Sequence, residues 1–110
     1  MRDGTDGANL LRAYVRAWPR WLGGEGDAKR NGFKFHTQSQ RSTDLRLKHG
    51  FPCDSHRRHG QQYWEFRLAD EATFHRARLQ VKAWDTGVSV DVLEIQEQLR
   101  PMYQPSLLLS

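Results

Sequence analysis

At 110 residues the chain has the length of one domain, and four Trp, three Tyr and five Phe carry enough apolar area for a core without staples. Its single cysteine, Cys53, excludes an internal disulfide, and apolar runs such as Leu107 to Leu109 are far too short to cross a bilayer, so a cytoplasmic protein is expected. The net charge of +4 is unevenly laid out: residues 1 to 28 balance four bases against four acids, residues 29 to 82 hold twelve bases against five acids, and the stretch from Asp85 onward is acidic.

The spacing predicts a helix first. Leu10, Leu11, Tyr14, Val15 and Trp18 recur at helical period, with Arg12, Arg16 and Arg20 on another face. Asp6 is a good N-cap, and Pro19 pushes the residue before it out of the helical region. An arginine row beside Trp18 and Trp21 suits a phosphate backbone, although its plainer role is a solvated helix face. Gly23, Gly24, Gly26 and the pair Asn31-Gly32 then predict a mobile connection near residues 23–32. It is not a phosphate loop, because no Gly-Lys-Ser/Thr follows at the required spacing.

Strands are expected next. Phe33, Phe35 and Thr37 alternate with Lys34, His36 and Gln38, and Leu45 and Leu47 alternate with Asp44, Arg46 and Lys48, which reads as a hairpin with one wet face. Over residues 63–68, Trp64, Phe66 and Leu68 share one face and Tyr63, Glu65 and Arg67 the other; Val88, Val90 and Val92 open a fourth strand. Residues 70–84 admit two readings. As a helix, Asp70 caps a stripe of Phe74, Ala77, Val81 and Trp84; as a strand, they join residues 74–95 in a long β-hairpin turning at Asp85-Thr86-Gly87. The abundance of Ala, Arg, Leu, Gln and Lys favours the helix, which leaves Leu79 on its far face. The tail over residues 101–110 is apolar, and Pro101 and Pro105 argue against a regular helix through it. The fold expected is a single α+β domain, with the N-terminal helix and a second helix on one face of a mostly antiparallel four-stranded sheet.

The stretch from His49 to His59 is where chemistry is concentrated, since it holds Cys53 and three of the five histidines. Pro52, Asp54, Arg57, Arg58 and Gly60 fit a two-turn helix with charges matched to its dipole. On such a helix Cys53, His56 and His59 share one face with His49 near them, a donor set of the kind zinc takes. Structural zinc draws its ligands from two separated pairs, however, and Arg57 and Arg58 oppose a cation. The segment also admits an activated thiolate at Cys53, an anion-binding loop, or an exposed basic loop around a half-buried cysteine. Asp91, Glu94 and Glu97 read as a solvated acidic face, and Asp85-Thr86-Gly87 lacks the apolar framing of an aspartic-protease motif.

These observations lead to a small binding module without catalysis or cofactor, engaging an anionic partner, nucleic acid first, through Arg46, Lys48, Arg57, Arg58, Arg76 and Lys82. A protein-protein inhibitor or accessory protein is one alternative. An enzyme using the His49, Cys53, His56 and His59 cluster is another, and zinc is the one cofactor that those four side chains would suit. The apolar tail adds the expectation of docking, either on its own domain or in a homodimer.

Overall fold

The computed structural model describes the backbone of residues 1–109 and the side chains of residues 1–100. Helix α1 (Asp6–Ala17) starts at Thr5, whose hydroxyl accepts the Ala8 N–H at 3.2 Å, so the cap lies one residue before Asp6, which instead places its charge in the first turn. Its buried face is Ala8, Leu10, Leu11, Ala13 and Tyr14. Helix α2 (Gly24–Asn31) takes up most of the glycine-rich connection, with the Asp27 carboxylate accepting the Gly23 N–H at 2.9 Å.

The expected hairpin over residues 33–48 is helical. A 3₁₀ turn at Phe35–Thr37 leads into α3 (Gln38–His49), which Gly50 ends in a left-handed conformation at φ 74°. The strand reading rested on Leu45 and Leu47 sharing a face, but Leu45 is fully buried and Leu47 is 69% exposed. The face that α3 turns inward is Gln38, Ser42 and Leu45, at helical spacing and two-thirds polar, which is why hydrophobicity hid it. Those polar groups are satisfied within the core. The Tyr14 hydroxyl lies 2.7 Å from Ser42 Oγ, and Gln38 Nε2 donates to the Tyr14 hydroxyl at 3.2 Å and to the Leu22 carbonyl at 2.9 Å. The network ties α3 to α1 and to the chain entering α2.

In place of four strands, the described residues form a two-stranded antiparallel ribbon, β1 (Cys53–His56) and β2 (Glu65–Leu68), and Leu22 adds one antiparallel bridge to Phe66. The two-turn helix expected over the His/Cys segment is therefore a strand and a loop: the Phe66 N–H and carbonyl are held by Leu22, and a mated pair of extended chains satisfies the backbone there. Trp64, placed in the core by alternation with Phe66 and Leu68, precedes β2 and is 50% exposed.

The chain divides into two compact units, one from Met1 to Arg78 and one beginning at Leu79. Residues 71–86 form helix α4 (Glu71–Thr86), which removes the long hairpin over residues 74–95; the Asp70 carboxylate caps it by accepting the Thr73 N–H at 2.7 Å. Thr73, Ala77 and Leu79 are buried along it, so Leu79 is not stranded in solvent. The expected fourth strand is the start of α5 (Val90–Leu109). Ser89 Oγ accepts the Val92 N–H at 3.3 Å, and the strong helix formers of residues 93–100 outweigh the Val88, Val90, Val92 alternation. The helical path continues past Pro101 and Pro105, where proline's fixed φ is itself a helical value although each lacks an N–H to donate. The tail side chains on which a homodimer was expected lie outside the described residues. Among the described residues, no helix is long and apolar enough to cross a membrane.

Candidate functional site

The ribbon sorts its side chains by strand period. Cys53 pairs with Leu68 and Ser55 with Phe66 on one face, while Asp54 pairs with Arg67 and His56 with Glu65 on the other. Cys53 and His56, three residues apart, would share a face on a helix but lie on opposite faces of a strand. His49 ends α3, beside a hollow lined by Met1, Asp6, Asp44 and Lys48, and His59 stands exposed in the β1–β2 loop. The four expected zinc donors are thus dispersed, and among the described residues no three His, Cys, Asp or Glu side chains gather to hold a metal ion.

The same register separates thiol from imidazole, so the ribbon assembles no Cys–His nucleophile. Burial pushes the Cys53 thiol up to about 12, the reverse of activation. Desolvation first, and neighbouring positive charge second, hold the His49 imidazole below its ordinary value.

The polar face of the ribbon carries a stack of rings and guanidinium groups. The His56 ring lies on Trp21 with centroids 3.9 Å apart and planes 19° from parallel, and its Nε2 is 2.8 Å from Glu65 Oε1. That carboxylate oxygen is also 3.3 Å from Arg58 Nε. Arg67 sits on the Trp21 ring at 4.2 Å from its centre and 5.9 Å from that of Trp18, while its Nη1 donates to the Pro19 carbonyl at 2.9 Å. Trp18 stacks in turn on Phe74 of α4, with centroids 5.4 Å apart. Each guanidinium-ring contact of this kind contributes about 0.5 to 2 kcal/mol, according to its desolvation. Together they fix the arm that carries the loop.

The loop itself brings cations and open aromatic faces together. Arg57, Arg58 and His59 are exposed and line an open hollow with Gly60, Gln61 and Gln62. The Arg57 guanidinium lies 5.5 Å from the centre of the Trp64 ring, and Tyr63 beside it is 38% exposed. Two glycines seat this segment on the start of α2. A Cβ on Gly23 would overlap the Trp64 carbonyl oxygen, and one on Gly24, whose φ is +84°, would come within 2.9 Å of the Tyr63 ring.

Of the six bases expected to hold an anion, Arg57 and Arg58 line one hollow in the β1–β2 loop. Arg46 is exposed on α3, beside a hollow of about 270 Å³ shared with Ser39, Ser42, Thr43, Cys53 and Ser55. Lys48 is 3.7 Å from Asp44, Arg76 donates to the Gly50 carbonyl at 3.0 Å, and Lys82 lies on the part of α4 that belongs to the second unit. The strand pattern places Trp64 on the face of Phe66 and Leu68 and Tyr63 on the opposite one, which marks neither ring as part of a binding surface. The available signal was their place directly after a run of polar residues, Gln61-Gln62, which a buried strand start does not favour. No protein-family model, curated protein or solved structure matches the chain.

Proposed function

We propose that the protein is a non-catalytic module that binds single-stranded nucleic acid on the β1–β2 loop, with Arg57, Arg58 and His59 toward phosphates and Tyr63 and Trp64 toward bases. The observation that carries this reading is the half-exposed Trp64 ring held under the Arg57 guanidinium, with Tyr63 beside it on a glycine-seated segment. Cations neutralise the backbone, and every base has a π-face that an aromatic ring can stack on without reading sequence. Both rings are anchored before binding, which reduces the entropy lost in ordering them. A duplex hides its base faces, so the same residues favour a single strand.

The test is fluorescence anisotropy at about 50 mM salt, comparing a labelled single strand of about 16 nucleotides, the upper site size for one small module, with the corresponding duplex. Tighter binding of the single strand is expected, with the loop contributing about −1.4 to −2.1 to the log-log salt slope, for two to three phosphates at about −0.7 each. Absence of binding to either form overturns the proposal.

A further inference from the structure

A second cluster of cations lies away from the ribbon, between the first two helices. Arg12 and Arg16, one turn apart on α1, line a hollow of about 400 Å³ with Lys29 and Arg30 of the last turn of α2 and with Asn9 and Asn31. The helix dipole accounts for Lys29 and Arg30 where they stand, since bases belong at a helix C-terminus. It does not account for two arginines from another helix converging on the same hollow, because like charges brought together repel.

Carboxylates offset only part of this charge. Asp3 pairs with Arg12 at 3.0 Å, and Asp27 pairs with Arg30 at 2.7 Å. Arg16 gives one N–H to the Asn31 carbonyl at 3.3 Å and has no carboxylate partner among the described residues; Lys29 has no polar partner there at all. The hollow is therefore lined by two cations, Arg16 and Lys29, that no carboxylate among the described residues compensates.

We infer that this α1–α2 hollow is an anion site for adjacent phosphate groups, with Arg16 and Lys29 as the principal holders and Arg12 and Arg30 able to turn from their carboxylates toward the ligand. Two cations on separate helices suit two linked phosphates better than a single one, and charge-assisted hydrogen bonds from guanidinium to phosphate oxygen are strong and directional. Linked phosphates occur in a free polyphosphate and in a nucleic-acid backbone. The site does not rest on the ribbon reading, since none of its residues lies on β1, β2 or the loop between them.

The experiment has two arms, both run on the full chain and on an Arg16→Gln/Lys29→Gln variant. Lys29→Gln alone serves as the folding control, because that side chain contacts nothing polar. In the first arm, inorganic tripolyphosphate is titrated while amide shifts are followed by NMR. Saturable shifts at residues 9–16 and 29–32 that the double variant loses identify a free-polyphosphate site. In the second arm, single-stranded oligonucleotide affinity is measured against salt. A slope shallower by about 1.4 in the double variant, two contacts at about 0.7 each, identifies the backbone as the source of the phosphates. Trp64→Ala, which acts on the ribbon, lowers oligonucleotide affinity but leaves the tripolyphosphate shifts and the salt slope unchanged, so failure of the ribbon reading is distinguishable from failure here. Tripolyphosphate shifts absent or undiminished in the variant, together with an unchanged salt slope, overturn the inference.

Discussion

Replacing Tyr14 by Phe removes one oxygen atom from the buried network between α1 and α3 and leaves the ring in place. The hydroxyl lies 2.7 Å from Ser42 Oγ and accepts from Gln38 Nε2 at 3.2 Å. Gln38 keeps its bond to the Leu22 carbonyl at 2.9 Å, and Ser42 can turn toward the carbonyl one helical turn back, so part of the loss is recovered. Two bonds at about 0.5 to 1.5 kcal/mol each put the cost at about 1 to 3 kcal/mol. With a urea slope of about 2 kcal/mol per molar, the unfolding midpoint falls by about 0.5 to 1.5 M. Ser42→Ala removes the partner from the other side, and a cycle of single and double variants isolates a coupling of about 1 kcal/mol. Burial pushes the Tyr14 hydroxyl above its ordinary value, so the proton needed for the bond stays in place across the assay range. A midpoint that does not fall in Tyr14→Phe, or a coupling indistinguishable from zero, would refute the network as the tie between the two helices.

Three further outcomes follow from local geometry. Burial pushes the Cys53 thiol up to about 12, so iodoacetamide at mildly alkaline pH reacts with this half-buried group far more slowly in the native protein than in urea; equal rates would contradict the desolvation of its sulfur. Hydrogen bonds from Thr73, side chain and backbone, hold the Asp70 carboxyl below its ordinary value, so its contribution to stability is complete above the unfolded carboxylate range and is lost as pH falls through the lower folded value. Asp70→Ala should therefore lower the thermal midpoint at neutral pH, with the gap to the parent chain closing in acid; an equal gap at both ends of the range would remove Asp70 as the α4 cap. Gly24→Ala meets the Tyr63 ring at 2.9 Å and a φ of +84°, so it should lower stability and shift the Tyr63 ring resonances in NMR, whereas unshifted resonances would show that the glycine does not seat that ring.

The legible parts of this fold are those where burial follows hydrophobicity. Leu10, Leu11 and Tyr14 mark α1, and helix-forming residues with Asp70 as cap mark α4. The α3 segment was illegible because its inward face is Gln38, Ser42 and Leu45, two of them polar and satisfied by partners distant in sequence. Without Tyr14 and Leu22 in view, the alternation of Leu45 with Leu47 was the stronger pattern, and it pointed to a strand. The His/Cys segment failed for a related reason. Its capping residues fit a short helix locally, while the pairing of Cys53–His56 with Glu65–Leu68 is a long-range choice that exchanges a period of 3.6 for one of 2 and parts Cys53 from His56. At the candidate site, Arg57 and Arg58 could be picked out from charge alone. Tyr63 and Trp64 could not, because their exposure depends on where β2 begins and on the close approach that Gly23 and Gly24 allow.

If phosphates and bases are held by different groups on the β1–β2 loop, the salt dependence of single-strand binding in two variants separates them. Trp64→Ala removes a stacking face and is predicted to weaken binding by about 1 to 3 kcal/mol at every salt concentration, leaving the slope unchanged. Arg57→Gln/Arg58→Gln removes two phosphate contacts and is predicted to reduce the slope by about 1.4 while the single-strand preference over duplex persists. Binding that loses neither affinity in Trp64→Ala nor slope in the arginine variant would contradict the assignment of this loop as the nucleic-acid surface.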